Sequence, residues 1–268
     1  MNLILLNMDL GIAGKTALVT GASSGIGRGI ARALAQEGAA VFMVARRENL
    51  LQELVSELEA LGAKAGYLAA DLSDPATPEK AVAAASELGP VELLLANTGG
   101  PPPGRAEDLT VKTLHQGFVT LFAPAVRLVG EVLPGMKSRG FGRIVLVTSS
   151  AVKEPLEDLV VSNSVRTGIT GYAKTLAREV VGSGVTVNCL APGSTDTERI
   201  RELFEHRATA AGLSLEDWQA REASGHPAGR LARVEELASV AAFLLSVPAS
   251  FVNGQTILVD GGGSHGLF

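Results

Sequence analysis

Three glycines, Gly21, Gly25 and Gly27, follow directly on a short apolar run, Ala17-Leu18-Val19, flanked by Thr16 and Thr20. Glycine lets backbone approach a phosphate closely, and the unpaired N–H groups at a helix start favour negative charge. With Ser23, Ser24 and Ile26 between the glycines, the spacing G-x-x-x-G-x-G predicts a strand, a turn that grips a diphosphate, and a helix. Its apolar positions are Ile26, Ile30, Ala31 and Leu34. Arg46 lies nineteen residues after Gly27, with Arg47 beside it. In nucleotide-binding βαβ units an acidic residue near this point takes a ribose 2′-hydroxyl, whereas arginine accommodates a 2′-phosphate. The planar guanidinium suits phosphate, so the pair points to NADP(H) in preference to NAD(H); the alternative is two solvated surface arginines.

The elements that must hold these residues are legible as apolar runs. Strands are expected at Ala39–Ala45, Tyr67–Ala70, Val91–Ala96, Arg143–Thr148 and Val185–Leu190, besides the first run. Helices are expected at Asn49–Leu61 and Asn163–Val181, with a further one starting at Ser73-Asp74-Pro75. A long helical region, Thr110–Arg139, is expected to break or kink at Pro124 and Pro134. With a last helix and strand before Asp260-Gly261-Gly262, seven strands alternate with helices. The fold class is therefore α/β, a single Rossmann-like domain with a doubly wound parallel seven-stranded sheet and its site at the strands' carboxyl ends.

The 268 residues suit one such domain, at 46% hydrophobic and 19% charged. With 23 basic and 28 acidic residues the net charge is −5, which argues against nucleic acid as a partner. The lone Cys189 can form no internal disulfide and points to a reduced cytoplasm. Met1–Met8 is apolar but too short to span a membrane and lacks a basic start, so residues 1–8 read as an extension before a domain at 9–268. No metal and no membrane partner is expected.

With Thr20, the glycine turn reads T-G-A-S-S-G-I-G, which resembles the cofactor motif of the short-chain dehydrogenase/reductase family; further matches extend to about Gly263. The chain looks most like the family's 3-oxoacyl-(acyl-carrier-protein) reductases. Ser24 stands where many NADP-binding relatives carry a basic residue. The resemblance implies that Asp71-Leu72 meets the adenine. It also implies that Asn97-Thr98-Gly99-Gly100 is a substituted N-N-A-G motif keeping Asn97 and Gly99. Pro192, Gly193, Thr195 and Thr197 match a P-G-x-x-x-T loop, in which the Thr195 backbone and Thr197 hydroxyl would hold the nicotinamide carboxamide. By position, residues 194–230 form the substrate lid, carrying His206, Trp218 and His226. Relatives pair subunits through the two long helices, which implies a homo-oligomer, a dimer or a tetramer. Pro101-Pro102-Pro103 is either a rigid pocket wall or a spacer.

The family's proton-transfer set departs from pattern. Its tyrosine, the lysine four residues later, the serine thirteen residues earlier and a helix asparagine fall on Ser162, Arg166, Ser149 and Leu121. Only Ser149 is conventional. Tyr172, ten residues beyond Ser162, lies about 15 Å further along the helix, and Tyr67 is expected to open the third strand at the end remote from the site. Neither substitutes. Ser162 and Arg166, at i and i+4, share a helix face in a Ser-Asn-x-x-Arg sequence with Asn163. Arg166 can bind ribose hydroxyls but does not shuttle protons, its pKa exceeding about 12. A serine hydroxyl is a far weaker acid than a phenol of pKa near 10, which casts Ser162 as a hydrogen-bond partner for substrate or water. Lys153 is a substitute acid if desolvated; the alternative is an exposed lysine–glutamate pair with Glu154. His115, His206 and His226 are weaker substitutes.

The expected function is an NADP(H)-dependent oxidoreductase acting on a small carbonyl or alcohol substrate, such as a 3-oxoacyl thioester, with an altered proton relay. The alternatives are a dinucleotide-binding sensor or assembly partner without turnover, and a lyase or isomerase holding the cofactor structurally.

Overall fold

The computed structural model describes residues 9–267, so the Met1–Met8 extension lies outside the described residues. Strand β1 (Thr16–Thr20) leads through the glycine turn into α1 (Gly25–Gln36). Then come β2 (Ala40–Ala45), α2 (Glu48–Ala60), β3 (Ala65–Ala69), α3 (Thr77–Ala85) and β4 (Val91–Ala96). The second half runs through α4 (Val111–Gly117), α5 (Ala123–Arg139), β5 (Gly142–Val147), α6 (Val160–Val180) and β6 (Val185–Pro192). It closes with α7 (Glu198–Ala211), α8 (Leu215–Gly225), α9 (Val234–Leu244) and β7 (Thr256–Val259).

The seven strands are parallel, in the order β3-β2-β1-β4-β5-β6-β7. Their direction of winding reverses between β1 and β4, which opens the crevice where ligands of such sheets bind. Each face of the sheet is covered. Ile30, Leu34, Leu51, Leu54, Leu58, Ala241 and Leu244 of α1, α2 and α9 pack on one side. Leu128, Val132, Met136, Ile169, Ala173 and Leu176 of α5 and α6, with Ala81 and Ala85 of α3, pack on the other. Strands buried on both faces explain the uninterrupted apolar runs in the sequence.

Four local expectations are corrected. The helix after Asp71 starts at Thr77 and not at Ser73–Pro75, because the Asp71 and Asp74 carboxylates accept from Ser73 N and Ala76 N and hold a turn there. Pro134 does not break α5, which continues to Arg139. The irregularity is a π-helical stretch, Phe118–Phe122, just before Pro124. Tyr67 sits mid-strand in β3, paired with Met43, and its hydroxyl donates to Glu48 Oε1 at 3.1 Å.

Read as one rod, Val111–Arg139 is long and apolar enough to cross a membrane, at a mean hydropathy of 1.4. Here it buries Leu121, Leu128, Val129, Val132 and Met136 within the fold. Its outer face leaves Val111, Leu114 and Phe118 exposed.

Candidate active site

The glycine turn is built by close contact. Gly21 has φ +62° and Gly25 has φ +53°, conformations that L side chains rarely adopt. A Cβ on Gly27 would stand 2.2 Å from the Gly21 carbonyl oxygen, so α1 approaches the turn only because that atom is missing. Asn97 secures the turn from β4: its Nδ2 donates to Gly21 O at 3.4 Å, its backbone N–H donates to Thr20 Oγ1, and Thr20 Oγ1 donates to Asn97 O, both at 2.9 Å. Asn97 is thus seen supporting the turn.

At the start of α1, Ser24 is extended and makes no side-chain cap, and no acidic residue lies in the first turn. The free N–H groups and dipole of this helix therefore face the turn without a competing anion from their own helix. These features fit a dinucleotide diphosphate. Arg46 is exposed and makes no ion pair among the described residues, while it helps, after the Ser73 hydrogen bonds, to hold the Asp71 carboxyl below its ordinary value. Leu72 is half-buried behind Asp71. Arg47 is engaged, with Nε donating to Ser23 Oγ at 3.3 Å, Nη2 to Ser24 Oγ, and Nη1 to Glu198 Oε2 at 2.8 Å. The glycine turn is therefore tied to α7 through Arg47 and Glu198.

Beyond β6, Gly193 packs so closely that a Cβ would lie 2.6 Å from the Asp260 Cβ. Thr195 is buried and bridges Ala232, and its Oγ1 donates to Gly193 O at 3.0 Å. Thr197 caps α7, accepting from Ile200 N at 3.3 Å, and its methyl faces Gly25. The Pro192–Thr197 loop and the glycine turn are thus neighbours across the crevice. Ile26 is half-buried at the head of α1.

Ser149 lies half-buried two residues beyond β5, and its Oγ accepts from Ala151 N at 3.2 Å. Accepting leaves its hydroxyl proton free to donate outward. Ser162 is buried and makes no side-chain hydrogen bond among the described residues. Arg166 is buried too, donating from Nη1 to Val147 O and from Nη2 to Gly99 O, both at 2.9 Å. Burial first, and the Arg199 guanidinium second, bring its pKa down to about 10. Asn163 clamps the loop before α6, donating to Leu156 O at 2.8 Å and accepting from Leu156 N at 3.4 Å. Leu121, in the π-helical stretch, is 1% exposed and packs with Val161 and Val165.

The proposed substitutes fare unevenly. Lys153 is exposed, and Glu154 pairs not with it but with His265, whose ring nitrogen Nδ1 lies 3.3 Å away. His115 and His206 are exposed. Tyr172 packs on Phe122, ring centroids 6.0 Å apart, and burial followed by Glu179 raises its hydroxyl pKa. Residues 198–225, within the expected lid, are mostly α7 and α8. Sequence reasoning missed Arg199, whose Nη2 donates to Pro101 O, tying α7 to the proline loop. A basic residue two positions after the loop's last threonine was the available signal.

Curated relatives agree with this geometry. The chain is 34% identical over 250 residues to the 3-oxoacyl-(acyl-carrier-protein) reductase of Escherichia coli, covering 93% of this chain and 97% of that protein. It is 32% identical over 254 residues to dehydrogenase/reductase SDR family member 4 of Oryctolagus cuniculus, covering 94% of each. Among solved structures, L-sorbose reductase from Gluconobacter frateurii complexed with NADPH and L-sorbose superposes with a TM-score of 0.91 at 32% identity, over 97% of this chain and 100% of that one. An actinorhodin polyketide ketoreductase with NADPH gives 0.89 at 33% identity, over 94% and 97%. The short chain dehydrogenase family pattern matches residues 15–208, and with the glycine turn, the seven parallel strands and the conserved-length relatives it places this chain in the short-chain dehydrogenase family of oxidoreductases.

Proposed function

We propose that this protein is an NADP(H)-dependent carbonyl reductase whose proton relay has been rebuilt without tyrosine or lysine. The observation that carries the proposal is Ser149: its oxygen accepts from Ala151 N while its O–H has no partner among the described residues, and that O–H would donate to a substrate carbonyl at the mouth of the crevice. NADPH supplies the hydride when bound. Gly21, Ser23, Ser24, Gly25, Ile26 and Gly27 would hold its diphosphate, and Arg46 and Arg47 its 2′-phosphate. Asp71 and Leu72 would meet adenine, while Gly99, Pro192, Gly193, Thr195 and Thr197 flank the nicotinamide end. Asn97 supports the turn from behind. Solved neighbours carrying NADPH support NADP(H) over NAD(H).

Ser149 and Ser162 polarise the carbonyl by hydrogen bonding, and Arg166 adds positive potential without giving up a proton. The alkoxide oxygen would then take a proton from bulk solvent, relayed through a water held by the two serines. That water is reprotonated as it gives, so that no hydroxide is left; neither serine hydroxyl is acidic enough to act alone. The partner is a small carbonyl or alcohol, with 3-oxoacyl thioesters suggested by the names of the relatives. A second copy of the chain would cover Val111, Leu114 and Phe118 on the outer helical face, giving a dimer or tetramer. The one thiol, Cys189, is buried, and burial pushes its pKa up to about 12, in keeping with an unreactive cysteine in a reducing cytoplasm.

A second reading, a dinucleotide-binding sensor, is favoured by Leu121, an apolar residue packed with Val161 and Val165 where relatives place a relay asparagine. Loss of NADPH absorbance against a panel of ketones and 3-oxoacyl esters separates the two. Turnover abolished by Ser149→Ala supports catalysis; tight NADPH binding with no turnover on any ketone supports the sensor.

A further inference from the structure

Arg166 is a buried cation without an acid. Among the described residues no carboxylate lies within ion-pair distance of it; its contacts are the Val147 and Gly99 carbonyls. Those two bonds use two of the five guanidinium donors and leave the formal charge unneutralised. A buried charge is ordinarily paired, because removing it from water is costly.

A second guanidinium stands on the same strip of backbone. Arg199, from the first turn of α7, donates to Pro101 O, and its Nε is 2.6 Å from where a Cβ on Gly100 would be. A Cβ at position 100 would displace the guanidinium from that place. Among the described residues the one acid paired with Arg199 is Glu202, at 3.7 Å, with both side chains exposed. Two arginines thus bracket Gly99–Pro101, one buried and one reachable, with a loosely held carboxylate beside the reachable one.

We propose that Arg166 and Arg199 form the seat of a substrate anion, a carboxylate carried on the same small molecule as the reacting carbonyl, so that the substrate class is an oxo acid. This rests on the carbonyl-reducing reading above. The carboxylate matches the planar fork of Arg199, which exchanges Pro101 O and Glu202 for it, while Arg166 keeps the local potential positive. The diphosphate of the cofactor does not meet this need, because it belongs to the glycine turn and the start of α1. An acyl-carrier thioester does not meet it either, since its nearest charge is a phosphate at the far end of a long arm.

The test uses the NADPH-loaded protein and two probes, 3-oxobutanoate and its methyl ester, which differ in charge and by one methyl group, with binding read by calorimetry. The acid is expected to bind at least about tenfold tighter than the ester. Arg199→Met, a surface change, is expected to bring the two affinities together, and Arg199→Lys to restore part of the gap. Added salt should narrow the gap as well. Equal affinities in the unaltered protein, an unchanged ratio in Arg199→Met, or faster turnover of a 3-oxobutanoyl thioester than of the acid would each overturn the proposal while leaving carbonyl reduction standing. An unaltered protein that takes up no NADPH in a fluorescence titration overturns the reduction reading, and the oxo-acid assignment with it.

Discussion

Arg166 donates from Nη2 to the Gly99 carbonyl at 2.9 Å, so a residue of α6 anchors the loop that leaves β4. The same guanidinium reaches Val147 O, at the end of β5. One side chain therefore sets the spacing between two strand ends at the floor of the crevice, a duty that a single ammonium cannot cover in the same geometry.

Arg166→Lys should accordingly lose at least one of these two bonds. A charge-assisted hydrogen bond contributes about 1.5–3 kcal/mol, and the variant should be less stable by that order in urea unfolding. Combined with Ser162→Tyr, the change should raise general carbonyl reduction above that of either single variant, followed by NADPH absorbance. A double variant no faster than its parents would mean that the pocket no longer suits a phenol.

Gly27→Ala places a methyl 2.2 Å from Gly21 O. The turn and α1 must move apart, at a cost of about 1–3 kcal/mol for such overpacking. NADPH affinity should fall by about tenfold or more, because the helix N–H groups lose their aim. Gly62→Ala makes a control: nothing lies within 4 Å of a Cβ there, although its φ of +84° carries some strain.

The proposed NADP(H) preference rests on Arg46, which makes no ion pair among the described residues. Arg46→Asp should lower the NADPH-over-NADH preference by about tenfold, since a 2′-phosphate contact becomes a repulsion. An unchanged preference would transfer the role to Arg47. Glu198→Gln then tests that residue, because it removes the carboxylate that now holds Arg47 Nη1 at 2.8 Å and should tighten NADPH.

Glu236 sets one part of the acid limb of stability. Arg230 hydrogen-bonds its carboxylate from both Nη atoms and Arg233 N–H adds a third bond, holding its pKa down to about 2 from an ordinary 4.5. The folded value lies below the unfolded one, so this stabilisation is fully present above about pH 4.5 and is lost as pH falls toward 2. Glu236→Gln should flatten the stability profile across that window, by a modest amount because the group is exposed and salt-screened. Thermal unfolding at stepped pH and low salt shows whether the slope changes.

Much of this protein is decided by local sequence. The seven strands and the glycine turn follow from apolar runs and from glycines at fixed offsets, because a strand buried on both faces must be continuously apolar and a phosphate turn must lack Cβ atoms. The residue types at Leu121, Ser162 and Arg166, on which the proposed relay rests, are equally visible in the chain as written. What those residues touch is not. Arg166 bonds backbone nineteen and sixty-seven positions away, and Arg199 reaches the proline loop from ninety-eight positions on. Glu154 takes His265 as partner across one hundred and eleven residues and leaves Lys153 to solvent. Spacing along a chain constrains neighbours within a turn or a strand; which distant carbonyl a long, many-donor side chain satisfies is settled only when the sheet brings the strand ends together.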